Sequence, residues 1–307
     1  MMFSENVKYI DSFPSPSQGR FDKDQWLHDH GKSSVIINCH SKQIYYPDHW
    51  TPLSMKCAFN GREYYQSGKA IQCASDDYFL VYNEGKEYTS FIHSDSEVES
   101  FTINFSEQFV NNTLKGIFSG AAENLDDPFS VKKARNIQFN ERAYLYSDPL
   151  KRQVQALHQL TRAFEQNQER IPELLHGLLE SLVNNQENIH LEMNGLDAVK
   201  AGTRAELYKR LYIAKDLLDS SYQNNISLDE LAAAALLNPY YLLRLFKSFF
   251  RTTPYQYLKA RRIEEAKKLL RNRKHNVSEV CTLVGFSDLS SFSKLFKRET
   301  GCSPSQF

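Results

Sequence analysis

The chain has 307 residues, 41% hydrophobic and 24% charged, with no net formal charge, values of an ordinary globular protein long enough for two domains. They exclude a collagen, a coiled-coil rod and a wholly disordered chain. A mean hydropathy of −0.54 and an N-terminus, MMFSENVKYI, lacking both a basic and an apolar leader region support neither secretion nor membrane spanning, so a cytoplasmic location is expected.

Neutrality hides a division. From Lys209 to the end, 17 Lys/Arg stand against 9 Asp/Glu, a net of +8, and the remainder carries −8. The C-terminal segment therefore suits a polyanion such as DNA, which the front half would repel. Charge runs are often only solvated helix faces, so motifs must decide.

In chain order, residues 1–30 read as an arm, with Ser12 to Gly19 (SFPSPSQG) a loop or disordered segment. From Ser33 to Phe105 short apolar stretches recur between turn residues: Val35 to Ile37, Leu53 to Phe59, Tyr64-Tyr65, Tyr78 to Tyr82, Tyr88 to Ile92 and Phe101 to Phe105. Gly61, Gly68, Asn83 and Gly85 punctuate them. Short strands at close spacing predict an antiparallel sandwich or small barrel over 1–147. Cys39, Cys57, Cys73, Cys281 and Cys302 are odd in number and without C-x-x-C spacing, so they read as reduced thiols. His28-x-His30 could place two imidazoles on one strand face, but no carboxylate follows at ligand spacing; a solvated polar loop is the favoured reading, and no metal or other cofactor is expected.

A helical region follows over 148–202. Asp148 can cap a helix with Pro149 at its first position, and Leu150, Val154, Leu157, Thr161 and Phe164 follow the spacing of a heptad seam. A second helix has Pro172 near its start and Leu174, Leu175, Leu178, Leu179, Leu182 and Val183 on one face. The pair must bury its stripe somewhere: in a dimer interface, the favoured reading, or in an intramolecular hairpin on the β domain. Asn184 to Gly202 reads as a polar linker.

Thr203-Arg-Ala-Glu206 reads as a capping box opening a helix to about Tyr222. A repeat begins beyond it. Ser227-Leu-Asp-Glu230 matches Asn276-Val-Ser-Glu279 at an offset of 49, and Leu242, Arg244, Phe246, Lys247 and Pro254 match Phe292, Lys294, Phe296, Lys297 and Pro304 at 50. Each copy predicts a capped helix, a tight turn and a second amphipathic helix. Gly285 can end the first helix of the second copy; the first copy has Leu236 there, leaving its turn geometry open. Between the copies Tyr255 to Arg271 forms a helical strut able to hold two recognition helices close to one DNA turn apart, about 34 Å. A plain bundle would leave the duplication unexplained.

Gly285-Phe-Ser287-Asp288, Phe292-Ser-Lys294-x-Phe296-Lys297 and Gly301-x-Ser303-Pro304-Ser305-x-Phe307, preceded by Tyr257-Leu258-x3-Arg262-Ile263-x2-Ala266-x2-Leu269-Leu270, resemble the AraC/XylS family of bacterial transcription regulators. The likeness covers roughly 203–307. It implies a seven-helix double helix-turn-helix domain, with departures at Leu236 and at the C-terminus. It also implies an α+β chain whose N-terminal cupin-like barrel binds an effector, with helices that form a homodimer. Leu242, Leu245, Phe246 and Phe249 share a packing face. By resemblance Tyr240, Leu243 and Arg244 occupy base-reading positions, with Leu289, Ser290, Ser293 and Lys294 their counterparts; Arg244 is the strongest, since a guanidinium can bond both O6 and N7 of guanine. Lys247, Lys297 and Arg298 look like phosphate contacts.

No G-x-S-x-G, Walker A or G-x-G-x-x-G motif is present. The expectation is a non-enzymatic, sequence-specific DNA-binding regulator acting on double-stranded DNA, with a small-molecule effector, a homodimeric state, RNA polymerase as a further candidate partner and no membrane. A metal-dependent cupin enzyme fused to a DNA-binding module and a ligand-independent DNA-binding dimer are the alternatives. Aromatic-rich strands suit a sugar or a hydrophobic effector equally.

Overall fold

The computed structural model describes residues 6–13, 23–68, 70–118, 137–194 and 201–307. The chain divides into two compact units, Met1–Asn194 and Gly195–Phe307.

The first unit comprises β1 (Val7–Ile10), α1 (Lys23–His30), β2 (Ser34–Thr51), β3 (Ser54–Phe59), β4 (Arg62–Ser67), β5 (Ala70–Ser75), β6 (Tyr78–Tyr82), β7 (Lys86–Asn104), α2 (Glu107–Phe118), β8 (Ala143–Leu145), α3 (Asp148–Thr161), α4 (Phe164–Asn167) and α5 (Ile171–Asn194). The expected arm thus contributes a strand and a helix; Ser12 to Gly19 lies largely outside the described residues. The stretches Tyr88 to Ile92 and Phe101 to Phe105 prove to be the two ends of one strand, β7.

All strands among the described residues belong to one sheet. Long antiparallel β2 and β7 pair along most of their length, with register shifts at Ser41/Gln43 and Tyr46/His49 that let both strands bend. The C-terminal half of β7 continues through β3 and β6 to β8, and its N-terminal half turns to β4 and then β5. Tyr65, Ala74, Tyr82, Tyr88, Ile92 and Val98 from both arms fill one core. Two expectations are corrected. Strand β1 joins β2 in parallel, so the sheet is mixed. No pairing among the described residues connects the outer strands β1, β5 and β8, so hydrogen bonds do not close a barrel.

Helix α3 begins at Asp148 with Ser147 at the cap position, one residue before the cap read from sequence. Its Leu150, Val154, Leu157 and Thr161 are 5%, 1%, 0% and 2% exposed within a single chain, because α3 packs on α5, whose Leu175, Leu178, Leu179, Leu182 and Val183 are also buried. The seam is therefore the core of an intramolecular hairpin and is not free to pair subunits. Phe164, the last of the spaced residues, stacks on Tyr9 at 5.4 Å. His158 fastens α3 to the sheet: its Nε2 lies 2.6 Å from Glu99 Oε1 of β7 and its ring stacks on Phe59. Helix α5 also runs through the first part of the expected linker. Gln186 and Ile189 stay on the buried face, with Gln186 donating to the Gln138 carbonyl at 3.1 Å, so tertiary burial extends a polar sequence as helix.

The second unit contains α6 (Ala201–Ser220), α7 (Leu228–Ala234), α8 (Pro239–Phe250), α9 (Pro254–Arg271), α10 (Val277–Leu283) and α11 (Leu289–Thr300). Helix α6 starts before Thr203, so Thr203 does not cap it, and Glu206 instead pairs with Arg210 at 2.8 Å. The chain ends in a turn over 304–306 where the resemblance implies a seventh helix.

Candidate nucleic-acid interface

The two copies of the repeat fold alike at every punctuation point. Both α7 and α10 open on reciprocal capping boxes: Glu230 N donates to Ser227 Oγ at 3.1 Å and Glu279 N to Asn276 Oδ1 at 2.9 Å, each glutamate reaching back to its cap. Both end with the paired bonds of a Schellman turn. Leu237 N reaches Ala232 O at 2.9 Å and Leu236 N reaches Ala233 O at 3.2 Å; Phe286 N reaches Cys281 O at 3.0 Å and Gly285 N reaches Thr282 O at 2.9 Å. Leu236 takes the left-handed conformation that Gly285 takes, with φ 53° against 87°. The inserted residue is Ser287. Asn238 then caps α8 through Tyr240 N and Tyr241 N, and Asp288 caps α11 through Ser290 N and Ser291 N; the Ser291 hydroxyl first, and then these amides, hold the Asp288 carboxyl below the usual carboxylate range. The second helices also end alike, on left-handed Arg251 and Gly301.

Each second helix buries one face and bares another. Leu242, Leu245 and Phe246 of α8 and Phe292 and Phe296 of α11 are buried, while Phe249 meets Tyr208 and Tyr212 edge-on. On α8, Tyr240 is 84% exposed, Arg244 and Lys247 are exposed and Leu243 is half-buried; their spacing of three, four and seven places them on one face. The Arg244 guanidinium lies 5.4 Å from the Tyr241 ring centroid. On α11, Leu289, Ser290, Lys294 and Lys297 are exposed and Ser293 is half-buried. Arg298 is also exposed but pairs with neighbouring Glu299 at 2.8 Å. The repeat thus aligns Tyr240, Leu243, Arg244 and Lys247 with Ser290, Ser293, Lys294 and Lys297.

The copies are braced by side chains that the sequence left without a role. Arg262 of α9, 7% exposed, donates to the Tyr222 and Asn224 carbonyls at 2.7 and 2.9 Å and lies 5.5 Å from the Phe286 ring. It ties the end of α6 to the second turn. Asp219, buried, accepts from Lys215 at 2.7 Å and from the Tyr257 hydroxyl at 2.8 Å. A Cβ on Gly285 would lie 2.3 Å from the Gln223 carbonyl oxygen, so the turn also needs glycine for close approach. Arg262 stands within the quoted motif, but neither its charge nor its spacing marks it as buried. Helix α9, 18 residues, spans about 27 Å.

The first unit offers a different feature. A cavity of about 550 Å³ is lined by Trp26, Trp50, Asn104, Phe105, Val110 and Leu179, within the usual range of ligand pockets. His28 and His30 lie on helix α1, not on a strand: His28 contacts Asp29 and His30 packs on Trp26. Among the described residues no group of three His, Cys, Asp or Glu could hold a metal, and no helix is long and apolar enough to cross a membrane. The five cysteines form no disulfide, and burial pushes Cys39 and Cys57 up to about 12, away from thiolate chemistry.

A helix-turn-helix domain family matches residues 231–307. The chain is 36% identical over 97 residues to a probable transcriptional regulator, LumQ, of Photobacterium leiognathi, covering 32% of this chain and 39% of that protein. It is 34% identical over 95 residues to the raffinose operon transcriptional regulatory protein RafR of Pediococcus pentosaceus, covering 31% and 34%. The matches thus span between a third and two fifths of these relatives. The crystal structure of the DNA-binding domain of AdpA with a target DNA is 26% identical, covers 32% of this chain and 87% of that one, and has a TM-score of 0.31. The C-terminal part of the chain is a helix-turn-helix domain of the AraC/XylS type.

Proposed function

We propose that the chain is a sequence-specific DNA-binding transcription regulator, not an enzyme, whose helices α8 and α11 enter successive major grooves of double-stranded DNA. The observation that carries this reading is the pair of capped helix units, both ended by Schellman turns and presenting equivalent bare faces, in a segment of net charge +8. Tyr240, Leu243 and Arg244 on α8, and Leu289, Ser290, Ser293 and Lys294 on α11, read base edges. Lys247, Lys297 and Arg298 contact phosphates. Residues 203–307 are the DNA-binding domain, 1–147 an effector-sensing domain whose bent sheet stands in for a cupin-like barrel, and 148–202 the helical connection. The aromatic-lined cavity in the first unit supports a small-molecule effector there. A homodimer would use a surface other than the buried Leu150 to Thr161 seam, and RNA polymerase is the partner a promoter-bound regulator would meet.

Selection of duplexes from a random library by the full chain tests the reading. Two preferred blocks about one helical turn, roughly 10 base pairs, apart are expected, with affinity falling steeply as salt rises. Enrichment of no sequence, or of a single block, would refute two-groove reading.

A further inference from the structure

A small chamber bordering the cavity holds two buried side chains of opposite charge type that do not pair. A chamber of about 70 Å³ shares Trp26, Trp50, Pro52 and Asn104 with the larger cavity, and Lys56 of β3 and Glu63 of β4 line it. Both are almost fully buried, at 3% and 2% exposure. Lys56 Nζ touches Thr51 Oγ1 at 3.4 Å and stands 5.1 Å from the Tyr88 ring centroid. Among the described residues no carboxylate lies within ion-pair distance of it, and Glu63 Oε2 has no hydrogen-bond partner.

A lysine serving only to fill space would be replaced by a methionine of similar length without stranding an ammonium, and a buried ion pair contributing stability would be in contact. Here burial draws the Lys56 amine down to about 7, against the pull of Glu63 and Cys57. Burial raises the Glu63 carboxyl, against Ser100, Tyr65 and Lys56. Burial thus disfavours the charged form of each group and draws the two toward free amine and carboxylic acid. His49, on the same wall, is pushed down to about 3, chiefly by burial, so it adds no competing charge. A buried amine in one chamber with a buried carboxyl, walled by Tyr88, Trp50 and Tyr46, is an environment that activates lysine as a nucleophile.

We propose that the effector carries a carbonyl group, a small aldehyde or ketone that reaches the chamber from the larger cavity and forms a reversible imine with Lys56. The proposal rests on reading the first unit as effector-binding. The amine nitrogen adds to the carbonyl carbon, and the carbonyl oxygen takes the Glu63 proton to give a carbinolamine. The carboxylate removes a proton from nitrogen and passes it to the carbinolamine hydroxyl, which leaves as water as the C=N bond forms; the carboxylate then takes the remaining iminium N–H proton, leaving neutral imine and restoring the Glu63 acid. Amine and carbonyl compound give imine and water, with no oxidation or reduction. The aromatic walls hold the carbon body of the ligand, and hydrolysis reverses the signal.

The full-length protein is incubated at pH 7 with butanal and sodium cyanoborohydride, which traps the imine as a stable N-butyl group, and the sites are mapped by peptide mass spectrometry. Lys56 is expected to be modified about tenfold or more faster than exposed Lys247 and Lys297, because burial favours its neutral, nucleophilic amine. Lys56→Met and Lys56→Arg should abolish that adduct, and Glu63→Gln should slow it while leaving surface labelling unchanged. Labelling spread over exposed lysines with Lys56 unmodified overturns the proposal, as does an undiminished rate in Glu63→Gln. If 1-butanol raises the melting temperature as much as butanal does and no adduct forms, the imine is overturned while the effector reading stands.

Discussion

Leu236 and Gly285 occupy the same place in the two turns with the same left-handed backbone, so glycine should be tolerated at one and required at the other. A left-handed non-glycine residue costs about 1–2 kcal/mol, and a glycine returns about 0.5–1 kcal/mol of that through the larger entropy of the unfolded chain. Leu236 is 70% exposed, so truncation forfeits little burial. Its carbonyl keeps the 2.8 Å bond from Arg210 Nη1. Leu236→Gly should therefore stabilise the second unit by about 0.5–1 kcal/mol, raising its melting temperature by roughly 2–6 °C for a unit of this size. Gly285→Ala faces both the φ of 87° and a Cβ 2.3 Å from the Gln223 carbonyl oxygen, a backbone atom that cannot swing aside, so a loss of about 2–5 kcal/mol is expected. Both tryptophans, Trp26 and Trp50, lie in the first unit and are blind to this change; calorimetry or circular dichroism at the helix band reads it. A lower melting temperature for Leu236→Gly would show that the leucine side chain, not the turn, sets the stability there.

Two further outcomes follow from the first unit. Burial pushes the Glu99 carboxyl up, but bonds with His158 and Asn38 outweigh it and hold the folded value below the usual one. That stability is present above about pH 4.3 and is lost as pH falls through the folded value. Glu99→Gln should flatten the acid limb of unfolding followed by tryptophan fluorescence, and an unchanged acid midpoint would place the linkage elsewhere. Leu157→Glu puts a charge at a fully buried site and should cost at least about 3 kcal/mol. An unchanged melting temperature with a shift from dimer to monomer in sedimentation would return the seam to a subunit interface.

The second unit was legible because its signals are local. A Ser or Asn three residues before Glu, a Pro at a helix start and a charged stripe opposite Phe246 or Phe296 can each be read within one turn of helix. The unread features are long-range. Residues 94–97 of β7 are mostly solvent-facing and look like a loop, yet β2 pairs on either side of them, at His93 and Val98, and keeps the strand continuous. Strand β8 has three residues and exists because β6 offers an edge. Helix α5 outlasts its apolar stripe because Gln186 finds a carbonyl 48 residues away. Nothing in Leu53 to Phe59 announces that Lys56 is buried, since alternation alone would turn a lysine outward. The Leu150 to Thr161 seam packs inside the chain for the same reason: spacing fixes which residues share a face, but only the packing partner decides what covers it.

The repeat aligns residues of unequal chemistry, and that inequality has a measurable consequence. Arg244 is a planar donor fork, with its guanidinium near the Tyr241 ring and therefore partly ordered before contact, whereas its counterpart Lys294 is a point charge on a flexible stem. Ser290 and Ser293 can donate to or accept from any base and discriminate weakly, while their counterparts Tyr240 and Leu243 are bulky and exclude poor fits. Base preference should accordingly be concentrated under α8. Arg244→Ala should cost about 1–3 kcal/mol on the preferred duplex and flatten preference at one base pair, and Arg244→Lys should recover affinity without recovering preference. Lys297→Ala should weaken all sequences alike and reduce the salt slope by about 1, as expected of one lost phosphate contact. Titration of preferred and scrambled duplexes at several salt concentrations separates the two behaviours. If Arg244→Ala weakened both duplexes equally, Arg244 would be a phosphate contact and α8 would have lost its claim to be the principal reader.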